Sequence, residues 1–280
     1  MQVFKSAQEL SNFYKSVSSV GKSLGFVATM GALHEGHLAL AEQSQSENDF
    51  TIVSIFVNPT QFNNPEDLEK YPRKDEQDIA MLSAIKVDAV FLPSVEEMYG
   101  KEVSSESIDL KGLDKGMEGD YRPGHFQGVA TVVRRLLTMI KPTRAYFGEK
   151  DYQQLRIIQH VAEIFDLDSE IIGVETQRYP SGLAMSSRNF RLSAQAMDEA
   201  KIIYQSMHWA KENYLKYRPE ALKEAIIKRF AESSLVLEYV DLADDTNMQK
   251  ITDWQEAKSV RIYIAALCEG VRLIDNLSIR

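Results

Sequence analysis

The sequence predicts an α/β protein, because short apolar runs alternate with helical patterns over its first 175 residues. Runs typical of buried strands lie at residues 25–29, 51–57, 89–92, 144–147 and 171–175. Helical periodicity lies between them, at residues 38–47, 75–85, 128–140 and 152–165. Strands that are apolar throughout are typical of a parallel sheet with both faces covered. We therefore expect a Rossmann-like, doubly wound, mostly parallel sheet, with ligands at the carboxyl ends of its strands.

The pattern changes after Glu175, where Tyr179-Pro-Ser-Gly182 interrupts the chain. Helical patterns then follow at residues 194–215 and 219–233, and strand patterns at residues 235–242 and 260–266. We therefore expect a larger domain at residues 1–175 and a second, smaller α+β domain at residues 176–280.

Composition narrows the class of partner. The chain has 280 residues, 44% of them hydrophobic, and a net charge of -9, which argues against nucleic-acid binding because phosphate backbones attract clustered Lys and Arg. Cys268 is the only cysteine, so an intrachain disulfide is excluded. The sequence shows no signal-peptide pattern and no apolar stretch of membrane-spanning length. We expect a cytoplasmic protein that acts on small molecules.

The most informative segment is Phe26-Val-Ala-Thr-Met-Gly-Ala-Leu-His-Glu-Gly-His-Leu-Ala-Leu40, in which His34 and His37 flank Gly36. It predicts a strand that ends at Met30-Gly31, a tight turn, and a helix N-terminus, where anions bind. Residues three apart in a helical turn lie side by side, so both imidazoles can donate to one phosphate chain. Spacing alone leaves two alternatives open: local hydrogen bonding, which is commoner, and a zinc pair, although metalloprotease histidines are four residues apart.

Two further segments place polar side chains after predicted strands. Asn58 and Gln61 follow the run at residues 51–57, where neutral amides suit hydroxyl and carboxyl groups, and where an Asn-Pro turn is the plain alternative. In Phe147-Gly-Glu-Lys-Asp-Tyr-Gln-Gln154, the Lys150 ammonium suits phosphate, with a solvated capping turn as the alternative.

Two loops contribute guanidinium groups. Tyr121-Arg-Pro-Gly-His-Phe-Gln-Gly128 is by itself a turn whose arginine pairs with an anion or merely caps a surface. Ala184-Met-Ser-Ser-Arg-Asn189 carries two hydroxyls and an arginine, donors that suit a polyphosphate and the charge that grows during its cleavage.

Taken together, these segments resemble the pantothenate synthetase family of the nucleotidyltransferase superfamily. The resemblance covers nearly the whole chain and rests on the ordered set Met30-Gly-Ala-Leu-His-Glu-Gly-His37, Phe56-Val-Asn-Pro-Thr-Gln-Phe62, Tyr71-Pro-Arg73, Arg122-Pro-Gly-His-Phe126, Phe147-Gly-Glu-Lys-Asp151, Met185-Ser-Ser-Arg-Asn189 and Arg272-Leu-Ile-Asp-Asn276. It implies that pantoate, β-alanine and ATP give pantothenate, AMP and pyrophosphate through a pantoyl adenylate. It also implies Mg²⁺ with the ATP, a homodimer, and a nucleotide- and pantoate-binding larger domain with a smaller lid domain.

The resemblance also implies roles for individual residues. Those expected to be catalytic are His37, His34, Lys150 and Arg188. Those expected to bind ATP are Met30, Gly31, His34, Gly36, His37, Gly148, Glu149, Lys150, Asp151, Gln177, Met185, Ser186, Ser187 and Arg188. Pantoate would contact Gln61, Gln154 and Asn58, and β-alanine would contact Gln61.

The chain departs from the family pattern at a few places. Ala28 replaces a usual proline, Gln177 replaces an aliphatic residue near adenine, and Gln77-Asp78 replaces a frequent acidic pair, so the protein ligands of the metal stay unknown. Two other functions are kept open. An adenylyltransferase that acts on a phosphate ester would need extra basic residues, whereas a non-catalytic nucleotide-binding regulator would not need His37, Lys150 and Arg188 intact.

Overall fold

The computed structural model describes residues 1–18, 21–63 and 65–280, which form two compact units. The larger unit contains Met1–Leu110, Arg122–Glu149 and Gln154–Glu175. The smaller unit contains Lys111–Tyr121, Lys150–Gln153 and Thr176–Arg280. Two short segments from the first 175 residues therefore belong to the smaller unit. Each unit has its own sheet.

The sheet of the larger unit is wholly parallel. Its strands are β1 (Gln2–Phe4), β2 (Leu24–Thr29), β3 (Phe50–Ile55), β4 (Ala89–Phe91), β5 (Arg144–Gly148) and β6 (Glu170–Val174). They lie in the order β1-β4-β3-β2-β5-β6, and every neighbouring pair is parallel. The strand order reverses between β2 and β5, so the carboxyl ends of these two strands border the place where doubly wound sheets bind ligands.

Helices connect these strands. In chain order they are α1 (Ala7–Ser18), α2 (Glu35–Glu47), α3 (Pro65–Glu69), α4 (Asp75–Ala84), α5 (Val95–Tyr99), α6 (Glu118–Tyr121), α7 (His125–Ile140) and α8 (Tyr152–Ile164). The central strands are buried on both faces: Phe26, Val27, Ile52 and Tyr146 are fully inaccessible to solvent. Burial of apolar side chains at this scale is the main stabilising contribution to such a unit.

The smaller unit packs helices on an antiparallel sheet. Its remaining elements are α9 (Ala194–Glu199), α10 (Lys201–Asn213), α11 (Pro219–Ala231), β7 (Val236–Asp244), β8 (Val260–Cys268) and β9 (Val271–Ser278). The strands lie in the order β7-β8-β9. The core between sheet and helices is formed by Ile203, Met207, Leu222, Ile226 and Ile262 among others.

The structure confirms the predicted fold class, a parallel doubly wound sheet with a second, smaller α+β part. The short elements β1, α3, α5 and α6 were not predicted, and three longer elements also differ from the expectation. Helix α1 was not predicted, although Leu10, Phe13 and Val17 are buried at helical spacing. The single helix expected at residues 194–215 is interrupted at Ala200. Strand β9 was not predicted because buried polar residues obscure its alternation.

Across the described ranges, which leave out residues 19, 20 and 64, no helix is both long enough and apolar enough to cross a bilayer.

Candidate active site

The turn that follows β2 has a backbone that few residues tolerate. Gly31 and Ala32 both have positive φ values, of 80° and 50°. Thr29 at the end of the strand donates its hydroxyl to the Ser54 carbonyl at 2.7 Å and accepts from the Gly31 N–H at 3.2 Å. A Cβ at position 31 would lie 3.0 Å from an Asp78 oxygen, so glycine is required both for its conformation and for its size.

Asp78, from the first turn of α4, holds this turn in place. Its carboxylate accepts hydrogen bonds from the backbone N–H groups of Ala32 and Leu33, each at 2.8 Å, and the residue is only 1% exposed. Burial raises the pKa of this carboxyl above its usual value near 3.8, although the two hydrogen bonds oppose the shift. No sequence pattern had indicated this supporting role for Asp78.

Asp78→Asn is expected to change how stability depends on pH. Because the pKa is raised on folding, the contribution of the carboxyl to the free energy of unfolding is greatest below pH 3.8 and is lost as the pH rises through the raised value. The amide does not titrate and accepts one bond fewer, which costs about 1–3 kcal/mol at all pH values. Thermal unfolding from pH 3 upward should show the stability advantage of the wild type over the variant shrinking. An advantage that grows with pH would contradict the argument.

His34 and His37 form the N-terminus of α2 together. His34 is the N-cap, and its Nδ1 accepts from the Gly36 N–H at 3.1 Å, while Nδ1 of His37 accepts from the His34 N–H at 3.3 Å. The ring centroids are 4.0 Å apart. Since each Nδ1 accepts a backbone hydrogen bond, the proton of each neutral imidazole lies on Nε2. Both histidines are thus fixed as Nε2–H donors at the positive end of a helix.

The turn after β3 is fixed by a buried network of polar groups. Asn58, 1% exposed, accepts from the Tyr99 hydroxyl at 2.6 Å and donates to Gln61 Oε1 at 3.1 Å and to the Gly128 carbonyl at 3.2 Å. His125 Nδ1 lies 2.8 Å from the Gln61 carbonyl. Burial raises the pKa of Tyr99, which keeps its phenol a neutral donor.

This network joins the two turns. The Gln61 Nε2 atom lies 3.0 Å from the Met30 sulfur, so the turn after β2 and the turn after β3 are in contact. The structure therefore brings Met30 into contact with the motif that contains Asn58 and Gln61, which the sequence had placed apart from it. Tyr99, His125 and Gly128 were not expected to contribute to the site. Only His125 and Gly128 lay in a motif that the sequence had marked.

Gly128→Ala is expected to destabilise the larger unit although it replaces glycine in a helix. An added Cβ would overlap the Thr60 carbonyl oxygen and would lie 2.7 Å from Gln61 Cα. Alanine normally stabilises a helix relative to glycine by about 1 kcal/mol, whereas overpacking costs about 1–3 kcal/mol. Urea unfolding should therefore show a net loss, and the turn that carries Gln61 should shift. An increased urea midpoint would contradict the close approach.

The carboxyl end of β5 is open. A Cβ added to Gly148 would have no neighbour within 4 Å, which leaves space beside the strand where the sheet order reverses. Gln154 follows in the first turn of α8 and is half-buried. Glu149 is half-buried in the short turn between them.

In the smaller unit, a cavity collects three residues that the sequence assigned to phosphate. Lys150, Ser186 and Arg188 line it, together with Asn189 and Asp275. The Lys150 side chain is 16% exposed, and its Nζ lies 3.7 Å from the exposed Asp151 carboxylate. Asn189 is 2% exposed, and its Oδ1 has no hydrogen-bond partner among the described residues. The lining thus carries three cations, of which Arg272 is the third, and the Asp275 carboxylate, beside hydroxyl and amide groups. Cationic and hydroxyl donors of this kind suit a phosphorylated ligand.

The segment from Gln177 to Arg188 is a short hairpin that ends in a 3-10 turn. The Met185 N–H donates to the Gln177 carbonyl at 2.9 Å. The Gln177 side chain is exposed, so a glutamine in place of the family's aliphatic residue leaves this backbone contact intact. Ser186 caps the 3-10 turn Ser187–Arg191 by accepting from the Arg188 N–H at 3.3 Å. Ser187 is half-buried and Arg188 is exposed.

The positions of the acidic and histidine side chains show whether the protein itself has a binding site for a metal ion such as Mg²⁺. Outside positions 19, 20 and 64, which the structure does not describe, no group of three or more His, Cys, Asp or Glu side chains is arranged to hold a metal ion. Asp78, which lies where the family often has an acidic pair, accepts hydrogen bonds from backbone N–H groups with both carboxylate oxygens.

A parallel doubly wound sheet with paired Nε2–H donors at a helix N-terminus is typical of the nucleotide-binding class of α/β proteins. A model of the family described as pantoate-beta-alanine ligase matches residues 2–278. The chain belongs to the pantoate–β-alanine ligase family, whose members are ligases.

Curated relatives and solved structures support the same family assignment. The pantothenate synthetase of Christiangramia forsetii is 46% identical over 281 residues, covering 100% of this chain and 99% of the relative. That of Flavobacterium psychrophilum is 40% identical, with 100% of both chains covered. The structure is similar to pantothenate synthetase from Thermus thermophilus, with a TM-score of 0.89, 37% identity, and 100% and 99% of the two chains covered.

A third structure carries ligands. The pantoate-beta-alanine ligase of Francisella tularensis, complexed with beta-gamma ATP and β-alanine, has a TM-score of 0.78 and 36% identity, with 100% of this chain and 98% of that chain covered. The predicted family, fold class and ligase activity are confirmed by these comparisons.

Proposed function

We propose that the protein joins pantoate to β-alanine in two steps at the expense of ATP. In the first step a pantoate carboxylate oxygen attacks the α-phosphorus, the bond to the bridging oxygen breaks, and pyrophosphate leaves. In the second step the neutral amine of β-alanine attacks the acyl carbon of the pantoyl adenylate, AMP leaves, and the amine loses a proton. The observation that carries this proposal is the pair of fixed Nε2–H donors at the start of α2.

The proposed roles follow from the chemistry of each group. Negative charge accumulates on the phosphates during the first step, so positioned donors and cations are the main source of acceleration. His34 and His37 would donate to the phosphates, with His37 the proton donor towards the developing charge. Lys150, Ser186, Ser187 and Arg188 would bind the remaining phosphate oxygens. The nucleotide would be framed by Met30, Gly31, Gly36, Gly148, Glu149, Asp151, Gln177 and Met185.

Pantoate would be bound by neutral amides. Gln61, supported by Asn58, and Gln154 are proposed to contact the acid, and Gln61 also β-alanine. The buried network around Asn58 supports this proposal, because it fixes the orientation of the Gln61 amide before substrate arrives. Neutral amides favour a hydroxy acid over a phosphate ester, which distinguishes this proposal from a related adenylyltransferase.

Mg²⁺, a homodimer and a cytoplasmic location belong to the same proposal, as do a substrate-binding domain at residues 1–175 and a lid at residues 176–280. The described residues offer no acidic cluster of their own for the metal. Mg²⁺ would accompany ATP and would supply charge neutralisation on the phosphates.

A direct test measures AMP formation by the purified protein with ATP and Mg²⁺. Pantoate alone should give pyrophosphate and a bound adenylate without turnover, and the addition of β-alanine should give steady AMP release. AMP formation that does not depend on pantoate, or does not depend on β-alanine, would favour another adenylyltransferase. Nucleotide binding without any turnover would favour a regulator and overturn the proposal.

A further inference from the structure

Two adjacent residues of β9, Asp275 and Asn276, are polar and yet almost fully buried, with exposed fractions of 5% and 4%. A buried carboxylate or amide is costly unless hydrogen bonds replace its lost hydration. Both lie in the Arg272-Leu-Ile-Asp-Asn276 segment, to which the proposed function gives no task. Their partners indicate what they do.

Asn276 holds the backbone of Lys150. Its Nδ2 donates to the Lys150 carbonyl at 2.7 Å, and its Oδ1 accepts from Arg261 Nη1 at 2.7 Å. The guanidinium of Arg261 in turn lies 3.7 Å over the Tyr152 ring. Because a guanidinium only donates and a carbonyl only accepts, the amide has one orientation that satisfies both partners. The amide therefore fixes the point on the backbone from which the Lys150 side chain extends.

Asp275 holds the hairpin that leads to Ser186. Its two oxygens pair with Arg178, at 2.6 Å to Nη1 and 3.0 Å to Nη2. The same Arg178 Nη1 donates to the Gly182 carbonyl at 3.1 Å, and the backbones of Arg178 and Ala184 pair across the hairpin. A bidentate pair has a defined geometry, so it fixes the hairpin relative to β9.

The two anchors are consecutive on one strand and are joined by the bond from the Asn276 N–H to Asp275 Oδ1, at 2.8 Å. We propose that Asp275 and Asn276 are positioning residues: together they set the spacing between Lys150 and the Met185–Arg188 segment, so that both bind one phosphate chain during adenylate formation. This inference rests on the proposed function. It assigns a role to a strand that touches neither pantoate nor β-alanine in the proposed scheme.

The test is Asn276→Asp. The carboxylate keeps the size of the side chain and its acceptor for Arg261, but it places an oxygen instead of an N–H against the Lys150 carbonyl. Asn213→Asp is a matched control in the same unit. There Nδ2 donates to the Trp209 carbonyl at 2.8 Å and Oδ1 accepts from Lys216 at 2.8 Å, far along the chain from either phosphate-binding segment.

The readouts separate positioning from stability. In single-turnover experiments at saturating ATP, Asn276→Asp should form the adenylate about 10- to 100-fold more slowly, since a displacement near 1 Å has an effect of this size. The KM for pantoate should not change, because the residues proposed to bind pantoate lie in the larger unit. Asn213→Asp should match the wild type in rate. Circular dichroism and thermal unfolding monitor the fold of both variants.

The outcomes are distinct. Absence of pantoate- and β-alanine-dependent AMP formation by the wild type would reject the proposed function itself. If the wild type is active and the folded Asn276→Asp variant forms the adenylate at the rate of the Asn213→Asp control, the positioning role is rejected and the proposed function is kept. If Asn276→Asp does not fold, Asp275→Asn tests the other anchor with the same expected loss of rate. Failure of both variants to fold would also reject the proposal, because a structural role would then account for the two residues.

Discussion

Replacement of His37 with alanine is expected to slow pantoyl adenylate formation by about 10²- to 10⁴-fold, the usual contribution of a positioned acid. The hydrogen bond from the His34 N–H to Nδ1 places the proton of neutral His37 on Nε2. Alanine removes that donor and leaves the phosphate charge unmatched. Rapid-quench measurement of adenylate and pyrophosphate under single-turnover conditions would report the change without interference from product release.

Loss of the capping interaction has to be separated from loss of the donor. His37 takes part in the capping box of α2, and removal of a cap costs about 1 kcal/mol of stability, which is far too little to unfold a protein of this size. His160→Ala is the control: it removes another imidazole of the larger unit, one whose Nε2 lies 3.0 Å from the Asp109 carbonyl. A rate for His37→Ala within a few-fold of that control would remove His37 from the mechanism.

The second large effect is expected for Lys150→Met. Methionine keeps much of the length and apolar volume of the side chain but removes the ammonium, which lies in a cavity and is only 16% exposed. Where water is largely excluded, one charged contact to a developing phosphate charge is worth about 10²- to 10³-fold in rate. The single-turnover rate of adenylate formation should fall by that factor, and the KM for β-alanine should change little.

Lys258→Met serves as the control for net charge. Lys258 is exposed and also belongs to the smaller unit, so its replacement changes the overall charge equally. Adding salt should slow the wild type more than Lys150→Met if the ammonium attracts the nucleotide electrostatically. Equal rates for Lys150→Met and Lys258→Met would show that the ammonium has no part in the chemistry.

Much of the secondary structure of the larger unit was predictable because it is encoded by patterns of neighbouring residues. The expected strands at residues 25–29 and 144–147 correspond to Leu24–Thr29 and Arg144–Gly148, since uninterrupted apolar runs are typical of strands buried on both faces. Helix α2 begins earlier than its apolar periodicity indicated. The reason is that His34, not an apolar residue, is its N-cap.

Strand β9 could not be predicted from local sequence patterns. Asp275 and Asn276 are buried in the smaller unit, at positions where a buried strand usually has apolar residues. Two consecutive polar residues in a sequence more often indicate a loop. Their burial is made tolerable by Arg178, Arg261 and the Lys150 carbonyl, and the last of these lies 126 residues away along the chain. No pattern of neighbouring residues contains that contact.

The sequence by itself determined the fold class, the family, and the residue types that phosphate and pantoate require. Tertiary structure alone decided how those residues are held: Asp78 bonds to Leu33 across 45 residues, and Asn58 bonds to Gly128 across 70. Periodicity and turn propensity report on neighbours within a few positions, whereas a buried hydrogen bond depends on which distant groups the packing brings to it. The proposed chemical groups are therefore visible in the motifs, and their supports are visible only in the folded chain.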